Sequence, residues 1–398
     1  MNKIGVGYAS VTPLEKKYVN EALDSDRLSP SRYVHQFERS FSAKHNKRYG
    51  VMCNSGTSAI HIALEALKEI DGWDEGTEVL VPALTFISSS NAVLHAGLKP
   101  VFVDVDPMTY NMDPRQIGQH ITGKARCILP VHAFGLPCEM DLIAVIAQKN
   151  KLRIVEDCSD AHFALYKGRT VGSWGDLSAF STYVAHTIMT GIGGIAITDG
   201  EHCAEILRSL IAHGRSCTCE VCTASDPNQV CRKRSDNEMD RRFLFERMGY
   251  SYRVGELEGA LGCAQLERAG EIMSARRRNA GRLTELLSPL QDVLQLPIYG
   301  SDYGHTFMMY PILIKSGKFT RKELTDFLEM KNIETRPMFP LLNQPIYRKM
   351  YGDIEKHYPN AAMIARNGFY VGCHHGLDEE EMAYIAATVK DAVEGFMR

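Results

Sequence analysis

The first half of the chain alternates short apolar runs with amphipathic stretches. Four apolar runs are bounded by polar or turn residues and have the length of buried strands, and they lie at 79–81, 101–105, 127–131 and 154–156. Between them, residues 58–70 and 140–150 carry the periodicity of helices. This alternation predicts a mostly parallel sheet covered by helices, with a further strand at 194–199.

The second half of the chain shows a different order of elements. A long, charged helical pattern covers residues 262–287. The strand and helix candidates that follow it lie at 308–314, 319–330, 369–372 and 378–396. We therefore predict a large domain over residues 1–265, and a linking helix with a small α+β domain over residues 266–398. Residues 214–247 are polar and rich in Cys and Arg, which indicates an inserted loop of the long kind that is usually functional or disordered.

Composition describes an ordinary globular protein, with 44% hydrophobic and 23% charged residues among 398. The formal net charge of −3 gives no argument for binding nucleic acid or an anionic membrane surface. No apolar run approaches the length of a membrane span, and the N-terminus lacks the apolar segment of a signal peptide. We therefore expect a cytoplasmic protein whose eleven cysteines serve as thiols or metal ligands rather than as disulfides.

Three stretches carry candidate chemistry for a cofactor pocket. Gly56, Thr57 and Ser58 lie between a strand and a helix, where small residues let backbone N–H groups approach an anion, although such turns also serve only as helix caps. Phe86 follows a strand and Asp157 ends one. An aromatic ring there is as often part of the core, and a carboxylate at a strand end is as often solvated or a cap. Each residue alone is therefore a weak signal.

Four cysteines fall within fifteen residues, at Cys217, Cys219, Cys222 and Cys231. Thiolates at this spacing bind zinc or an iron–sulfur cluster. Basic residues flank them and favour the thiolate form. The spacing alone does not decide between the two metals.

These signals become specific when they are combined with the motifs around His186. Those motifs read Glu-Asp-Cys-Ser-Asp-Ala-His at 156–162, Phe-Ser-Thr-Tyr-Val-Ala-His at 180–186 and Thr-Gly-Ile-Gly-Gly at 190–194. With Gly-Tyr-Ser-Tyr-Arg at 249–253, they resemble the DegT/DnrJ/EryC1/StrS family of sugar aminotransferases over nearly the whole chain. Enzymes of that family bind pyridoxal phosphate as a Schiff base on a lysine, and His186 stands at the lysine position. An imidazole cannot form that stable imine, but it can move protons near neutral pH.

The resemblance implies a fold and a set of cofactor contacts. The fold is α/β, that of a fold-type I pyridoxal phosphate enzyme, with a large domain whose mostly parallel sheet lies between helices and a small α+β C-terminal domain. The turn at 56–58 and the hydroxyl of Ser181 match residues that hold the cofactor phosphate. Phe86 matches the ring that stacks on the pyridine. Asp157 matches the carboxylate that keeps the pyridine nitrogen protonated, so that the ring acts as an electron sink.

Three positions depart from the family pattern. Asp160 stands where aminotransferases of the family usually carry Gln, and an acidic residue there, beside His186, is more typical of the dehydratases. Ile192 stands where the family often has Glu. Ser251 replaces an Asn that reaches across a dimer interface to the partner's cofactor phosphate. We therefore expect a homodimer with composite active sites, in which the shorter Ser251 makes a weaker or water-mediated phosphate contact.

The histidine and the cysteines together resemble one group within the family, the iron–sulfur CDP-4-keto-6-deoxy-glucose 3-dehydratases. That resemblance implies pyridoxamine phosphate and a [2Fe–2S] cluster as cofactors, a nucleotide-linked 4-keto-6-deoxyhexose as substrate, and a separate reductase as electron donor. His186 then assists loss of the C3 hydroxyl group. The predicted cluster ligands are Cys217, Cys219, Cys231 and, for the fourth position, Cys222. Cys158 competes for that fourth position, because related dehydratases can take a ligand from the strand end near the pyridine carboxylate.

Two other functions fit the same residues. A dehydratase of the GDP-4-keto-6-deoxy-mannose type also has His for Lys, but it restores its cofactor with glutamate and needs no cluster, so the cysteines argue against it. A non-catalytic protein that binds a nucleotide sugar or a partner, with structural zinc, has no need of the electron sink that Asp157 implies. Arg336 and Arg366 are candidate contacts to the sugar nucleotide, although an exposed Arg is more often solvated.

Overall fold

The computed structural model describes residues 3–220, 231, 235–236 and 239–398. Helices occupy Pro13–Asp24 (α1), Arg32–Lys44 (α2), Gly56–Asp71 (α3), Ile87–His95 (α4), Pro114–Ile117 (α5), Met140–Asn150 (α6), Glu201–Ile211 (α7), Glu256–Glu267 (α8), Ala269–Leu287 (α9), Arg321–Met330 (α10), Pro345–Tyr351 (α11), Pro359–Asn367 (α12) and Glu379–Met397 (α13). Strands occupy Tyr49–Cys53 (β1), Glu78–Pro82 (β2), Lys99–Val103 (β3), Ala125–Ile128 (β4), Arg153–Asp157 (β5), Leu165–Tyr166 (β6), Arg169–Thr170 (β7), Leu177–Ser181 (β8), Gly194–Thr198 (β9), Ser235–Asp236 (β10), Met239–Asp240 (β11), Leu294–Gln295 (β12), Tyr303–Gly304 (β13), Tyr310–Ile314 (β14), Arg336–Pro337 (β15) and Gly368–Val371 (β16). Of the described helices, none combines the length and apolar character needed to cross a membrane.

A seven-stranded sheet forms the centre of the protein, in the order β1-β9-β8-β5-β4-β2-β3. The strands from β8 to β3 in this order run parallel, whereas β9 is antiparallel to both of its neighbours. Val79 and Val81 pack in one buried cluster and Leu80, between them, packs in another, because successive side chains of a strand point to opposite faces. Burial on both faces explains the continuous apolar runs of the sequence. The predicted α/β fold with a mostly parallel sheet is confirmed.

A second, four-stranded sheet lies in the C-terminal part of the chain, in the order β12-β14-β16-β15, and it is antiparallel throughout. Helices α9, α10 and α13 contribute to the buried cluster around it, which includes Tyr310 and Phe369. The predicted border between residues 265 and 266 falls inside α8. The division into two domains therefore stays a prediction of the sequence.

The predicted continuous helix over residues 262–287 is wrong, because α8 ends at Glu267 and α9 begins at Ala269. Arg268 lies at the break, and its guanidinium donates to Glu15 Oε1 at 2.8 Å and to Ser10 Oγ at 3.2 Å. Glu15 is fully buried in α1. The break thus allows Arg268 to pair with the buried Glu15 carboxylate. The helical pattern of the sequence does not reveal this pairing.

The described ends of the predicted inserted loop lie side by side. The Ser216 N–H donates to the Leu244 carbonyl at 2.9 Å, and the Glu246 N–H donates to the Gly214 carbonyl at 2.8 Å. Glu220 lies within 4 Å of two cations, at 3.7 Å from Arg39 and 3.9 Å from Arg208. These contacts attach the base of the insertion to helices α2 and α7.

Gly194→Ala should destabilise the protein and disturb the start of α3. A Cβ at Gly194 would lie 2.3 Å from the Ser55 carbonyl oxygen, a backbone atom that cannot move aside without moving the helix. We expect a loss of about 1–3 kcal/mol in the free energy of unfolding, the usual cost of overpacking. Urea denaturation measures it.

Gly281→Ala is the matched control, because this glycine lies exposed within α9 with no heavy atom within 4 Å of the added Cβ. Its stability should be unchanged or higher by up to about 1 kcal/mol, since alanine favours helix over glycine. Equal stability of the two variants would contradict the close packing of β9 against α3.

Candidate active site

A cavity of about 410 Å³ opens at the carboxyl ends of β2, β4, β5 and β8. This edge of a parallel sheet is where α/β proteins bind ligands. The structure brings seven of the predicted site residues together around the cavity: Gly56, Thr57, Phe86, Asp157, Asp160, Ser181 and His186.

The start of α3 forms one end of the cavity. Ser55 caps this helix, because its hydroxyl accepts a hydrogen bond from the Ser58 N–H at 3.1 Å. A Cβ at Gly56 would lie 2.6 Å from the Cβ of Ser181, so only glycine lets the helix start approach β8 this closely. The first N–H groups of α3 and the Ser181 hydroxyl are thus close to one another, an arrangement suited to an anion such as a phosphate.

The Asp157 carboxylate is fixed from two sides. One oxygen accepts a hydrogen bond from Ser89 Oγ at 2.7 Å, and the other accepts from the N–H of Ser159 at 3.1 Å and from its hydroxyl at 2.7 Å. Phe86, which immediately precedes α4, lines the cavity and is 61% exposed. A fixed, buried carboxylate and an uncovered aromatic face suit a planar, protonated pyridine ring.

His186 lies in the loop that joins β8 to β9. This loop is closed by Thr182 and Thr190, because the Thr190 N–H donates to the Thr182 carbonyl at 2.8 Å and the two hydroxyls are 2.7 Å apart. The His186 N–H donates to the Tyr183 carbonyl at 2.8 Å, which completes a tight turn. The backbone and the two threonine hydroxyls therefore hold residue 186 at the cavity.

The imidazole of His186 faces Asp160, with 3.9 Å between Nδ1 and Oδ1. Burial lowers the pKa of His186 to about 4; a hydrogen bond with the Ser159 backbone opposes this shift, and the charge of Arg276 adds to it. Burial raises the pKa of Asp160 to about 7, and the nearby Asp157 carboxylate adds to the rise. At neutral pH the imidazole is therefore uncharged and able to accept a proton, beside a carboxyl group that is partly protonated.

Two predicted cofactor contacts do not line this cavity. The Ser58 hydroxyl donates to Asn54 Oδ1 at 2.7 Å and belongs to the cap of α3. Ser251 is exposed and pairs through its backbone with Ala212. Contact of either serine with a cofactor phosphate stays a prediction.

The described candidate metal ligands lie on the insertion. Cys219 is exposed, and Cys217 and Cys231 are partly exposed, whereas the other described cysteines are buried. Cys222 lies outside the described residues. Within the described part of the chain, the thiols of Cys217, Cys219 and Cys231 do not meet as a group of three within 4.8 Å. The predicted metal site on the insertion therefore stays a prediction.

Three other residues bring together atoms that could ligate a metal. They are His132, Glu156 and Cys158, which are all buried and whose ligand atoms lie within 4.8 Å of one another. Glu156 already accepts three backbone N–H groups from residues 172–175 and lies 3.2 Å from His132 Nε2. His132 Nδ1 accepts the Cys138 N–H at 2.9 Å, so the ring proton lies on Nε2 and points to Glu156. This set is a hydrogen-bond network, and its histidine has no nitrogen left for a metal.

Several residues of the cavity were not predicted. Ser159 and Tyr183 lie within the motifs that identify the site, so their position beside Asp157 and His186 was a usable signal. Half of the other unpredicted lining residues come from the C-terminal part: Met308, Met309, Phe339 and Tyr370. No sequence motif connects them with the first half of the chain, because only the fold brings the two parts together.

The fold and the cavity together define a protein of the pyridoxal phosphate-dependent aminotransferase fold. Residues 10–390 match the DegT/DnrJ/EryC1/StrS aminotransferase family, and the chain belongs to that family. The resemblance drawn from the motifs is thereby confirmed.

Relatives with different named activities are similar to the chain over most of its length. It is 34% identical over 393 residues to the GDP-perosamine synthase of Escherichia coli O157:H7, covering 98% of this chain and 99% of that protein. It is 33% identical over 381 residues to the dTDP-4-dehydro-2,6-dideoxy-D-glucose 3-dehydratase of Saccharopolyspora spinosa, covering 92% of this chain and 81% of that protein. The structure of E. coli GDP-4-keto-6-deoxy-D-mannose-3-dehydratase with bound hydrated PLP matches with a TM-score of 0.87 at 26% identity, covering 98% of this chain and 100% of that one.

Asp160→Asn should change how stability depends on pH. The pKa of Asp160 is about 7 when folded against an ordinary value of 3.8, so between these values the folded state keeps a proton that the unfolded state loses. This contribution to stability is complete below about pH 4 and is lost as the pH rises through 7. Asn cannot ionise, so the free energy of unfolding of the variant, relative to the wild type, should increase across this window by at most about 4 kcal/mol.

Urea denaturation of both proteins between pH 4 and 8 measures this difference. Asp391→Asn, which changes an exposed Asp on α13, is the control and should show little pH-dependent difference from the wild type. A difference between Asp160→Asn and the wild type that stays constant with pH would contradict the raised pKa.

Proposed function

We propose that this protein is a 3-dehydratase that removes the C3 hydroxyl group from a nucleotide-linked 4-keto-6-deoxyhexose with the help of pyridoxamine phosphate. The observation that carries the proposal is His186, a largely buried and uncharged imidazole at the position where the family resemblance expects a lysine. A histidine there cannot hold pyridoxal phosphate as a stable imine, which disfavours ordinary transamination. A neutral imidazole remains suited to acid–base work.

The residues of the cavity fit this cofactor. Gly56, Thr57 and Ser181 would hold the phosphate, Phe86 would stack on the ring, and Asp157 would keep the pyridine nitrogen protonated. When bound, pyridoxamine phosphate supplies an amine that condenses with the sugar ketone and a ring that takes up electrons.

His186 moves the protons of the reaction in this proposal. Its neutral imidazole would take the proton from the cofactor's C4′ carbon and give it to the C3 oxygen as the C3–O bond breaks, so that the hydroxyl group leaves as water. Asp160 lies 3.9 Å away, too far for a hydrogen bond in the described geometry but close enough to stabilise the imidazolium by charge. The partly protonated Asp160 thus supports both states of the histidine.

We further propose a [2Fe–2S] cluster on Cys217, Cys219, Cys231 and Cys222, reduced by a separate reductase. Support comes from the clustering of the thiols in the sequence and from the exposure of Cys219, which an external electron donor requires. Such a cluster supplies single electrons when bound. Cys158 is the weaker candidate for the fourth ligand, since it is fully buried beside Glu156.

A second candidate function is supported by one similarity and by the described thiol geometry. The chain is 29% identical over 386 residues to the GDP-4-keto-6-deoxy-D-mannose 3-dehydratase of Escherichia coli O55:H7. A glutamate-coupled dehydratase of that type, without a redox cluster, would use the same cavity and the same histidine. The thiols of the insertion would then have no role in electron transfer.

His186→Asn should reduce loss of the C3 hydroxyl by about 10²–10⁴-fold, the usual contribution of a general acid–base group, and should leave pyridoxamine phosphate affinity nearly unchanged. Turnover is measured with 4-keto-6-deoxyhexoses linked to GDP, dTDP and CDP, and cofactor affinity by fluorescence titration. His202→Asn, in an exposed histidine on α7, is the matched control and should retain activity.

The His186→Lys variant tests whether residue 186 occupies the lysine position of the family. The pocket should then bind pyridoxal phosphate covalently, with visible absorbance that borohydride removes. Near-normal turnover of His186→Asn would exclude the proposed acid–base role. If the lysine variant binds pyridoxal phosphate without a reducible bond, residue 186 does not occupy the lysine position of the family.

Replacing Cys217, Cys219 or Cys231 with Ser should remove iron and sulfide and abolish the reductive half of the reaction, while cofactor binding is retained. The reason is spatial, because these thiols do not line the cofactor cavity. Iron, sulfide and zinc are measured in anaerobically prepared protein. Cys203→Ser, a buried thiol of α7, is the control. One zinc per chain without iron or sulfide would overturn the redox role and leave the glutamate-coupled candidate.

We also propose a homodimer whose active sites are completed across the interface. The segment that leads to Ser251 exposes Phe243 by 70% and Met248 by 93%, and Ile192 in the loop of His186 is 65% exposed. A partner subunit would cover these apolar side chains. Ser251 lies at the end of that segment.

Sedimentation should therefore show a dimer, and Ser251→Asn should tighten pyridoxamine phosphate binding by at least about tenfold, because a hydrogen bond to a charged group contributes about 1.5–3 kcal/mol. A monomer that is fully active at high dilution would exclude the shared site. An Asn variant with unchanged affinity would exclude only the phosphate contact of residue 251.

A further inference from the structure

One part of the cavity is built from the C-terminal half of the chain and is almost entirely apolar. It consists of Met308 and Met309 before β14, Phe339 after β15, and Tyr370 on β16, and we call these four residues the C-terminal wall. Tyr370 contributes its only hydroxyl group. The rest of the lining carries most of the hydroxyl and carboxylate groups that suit the cofactor.

Three residues in or beside this wall have unusual backbone conformations. Phe134, Phe307 and Phe339 have φ values of 59°, 49° and 30°, a region that bulky side chains rarely adopt. The ring of Phe134 stacks on Phe339 at 4.8 Å with 3° between the planes, and the Met308 N–H donates to the Phe134 carbonyl at 3.2 Å. Such conformations are energetically costly and gather at ligand sites, where the surrounding structure holds them.

A buried cation holds the methionine side of the wall. Arg276 on α9 is fully buried, and its Nη1 donates to the carbonyl of Phe307 at 3.2 Å and to that of Met308 at 2.7 Å. The Cys373 thiol also donates to the Phe307 carbonyl, at 3.4 Å. These bonds fix the backbone where Met308 enters the cavity.

The aromatic side of the wall is connected to Asp160 and His186. The Phe134 N–H donates to Asp160 Oδ2 at 3.1 Å, and Asp160 faces His186. The wall therefore lies close to Asp160 and His186, the groups that the proposed function assigns to the reacting part of the sugar.

We propose that the C-terminal wall reads the sugar at C6, by packing against the methyl group of a 6-deoxyhexose and selecting against a hydroxymethyl group. This inference rests on the proposed function, which assigns the cavity to a nucleotide-linked hexose that reacts at C3 and C4. C6 is two bonds from C4, and in a 6-deoxyhexose it is the one carbon without oxygen. An added C6 hydroxyl against this wall would lose its water partners and gain few replacements.

The test compares nucleotide sugars that differ only at C6, with the full-length protein loaded with pyridoxamine phosphate. The pairs are GDP-D-rhamnose with GDP-mannose, dTDP-6-deoxy-D-glucose with dTDP-glucose, and CDP-6-deoxy-D-glucose with CDP-glucose. Calorimetry gives the ratio of dissociation constants within each pair that binds. We expect the 6-deoxy sugar to bind about 10–100-fold more tightly, since an apolar pocket rejects an added hydroxyl to about that extent.

Two variants of one wall residue test whether the apolar character of the wall or its shape causes the preference. Met309→Gln has similar length but offers an amide that can hydrogen-bond to a C6 hydroxyl, so the preference should shrink by about threefold to tenfold. Met309→Leu keeps the wall apolar and should retain the preference. Thermal unfolding and cofactor affinity check that both variants fold, and Met308→Gln with Met308→Leu serves as a second pair.

The outcomes distinguish this inference from the proposed function. Equal affinity within every pair that binds would overturn the wall's role and leave the dehydratase proposal standing. An equal loss of preference in the Gln and Leu variants would also overturn it, because shape alone would then be responsible. If none of the six nucleotide sugars binds, the proposed substrate class fails and this inference fails with it.

Discussion

The architecture of the site depends on one buried carboxylate, Glu156, in β5. Its oxygens accept the N–H groups of Gly172, Trp174 and Gly175 at 2.7–2.8 Å, and they lie 3.2 Å from both the Ser178 hydroxyl and His132 Nε2. Burial by itself raises the pKa of Glu156, but the hydrogen bonds from His132, Gly175 and Gly172 outweigh it and lower the pKa. Without this acceptor, each buried donor would be left unsatisfied at about 1–3 kcal/mol.

Because successive side chains alternate along β5, the strand that carries Glu156 also positions residues of the cavity. Glu156 points to the network of loops, so Asp157 points the other way, into the cavity. The same rigid strand end positions Ser159, which fixes the Asp157 carboxylate, and Asp160, which faces His186. The two carboxylates of the cavity thus differ in environment: Asp157 is stabilised by hydrogen bonds, whereas burial raises the pKa of Asp160.

The sequence identified what local chemistry and periodicity determine. Apolar runs located β2, β3, β4, β5 and β9, and the motifs located the residues at the strand ends, because parallel strands place their carboxyl ends at one edge. The break at Arg268 was not predictable, since it depends on a carboxylate in α1 more than 250 residues away in the chain. The role of Glu156 was equally hidden, because an acidic residue inside an apolar strand gives no sign of the donors that later loops supply. The C-terminal wall was not predicted for the same reason, because each of its residues looks like an ordinary core residue in the sequence.

His186 lies in a loop that is closed by other groups than its imidazole. The loop between β8 and β9 is closed by the backbone and by two threonines, and the turn at residue 186 uses its own N–H rather than its side chain. Neither Glu156 nor Asp157 contacts the imidazole through a hydrogen bond in the described structure. An exchange between lysine and histidine at this position therefore leaves the donors of Glu156 and the closure of the loop in place, and it removes the hydrogen bond between the imidazole and the Ser159 backbone. In the function proposed above, such an exchange changes whether residue 186 can bind the cofactor covalently or can only transfer a proton. That proposal assigns the reaction type to one side chain of this loop, in a chain that is similar to both a synthase and a dehydratase.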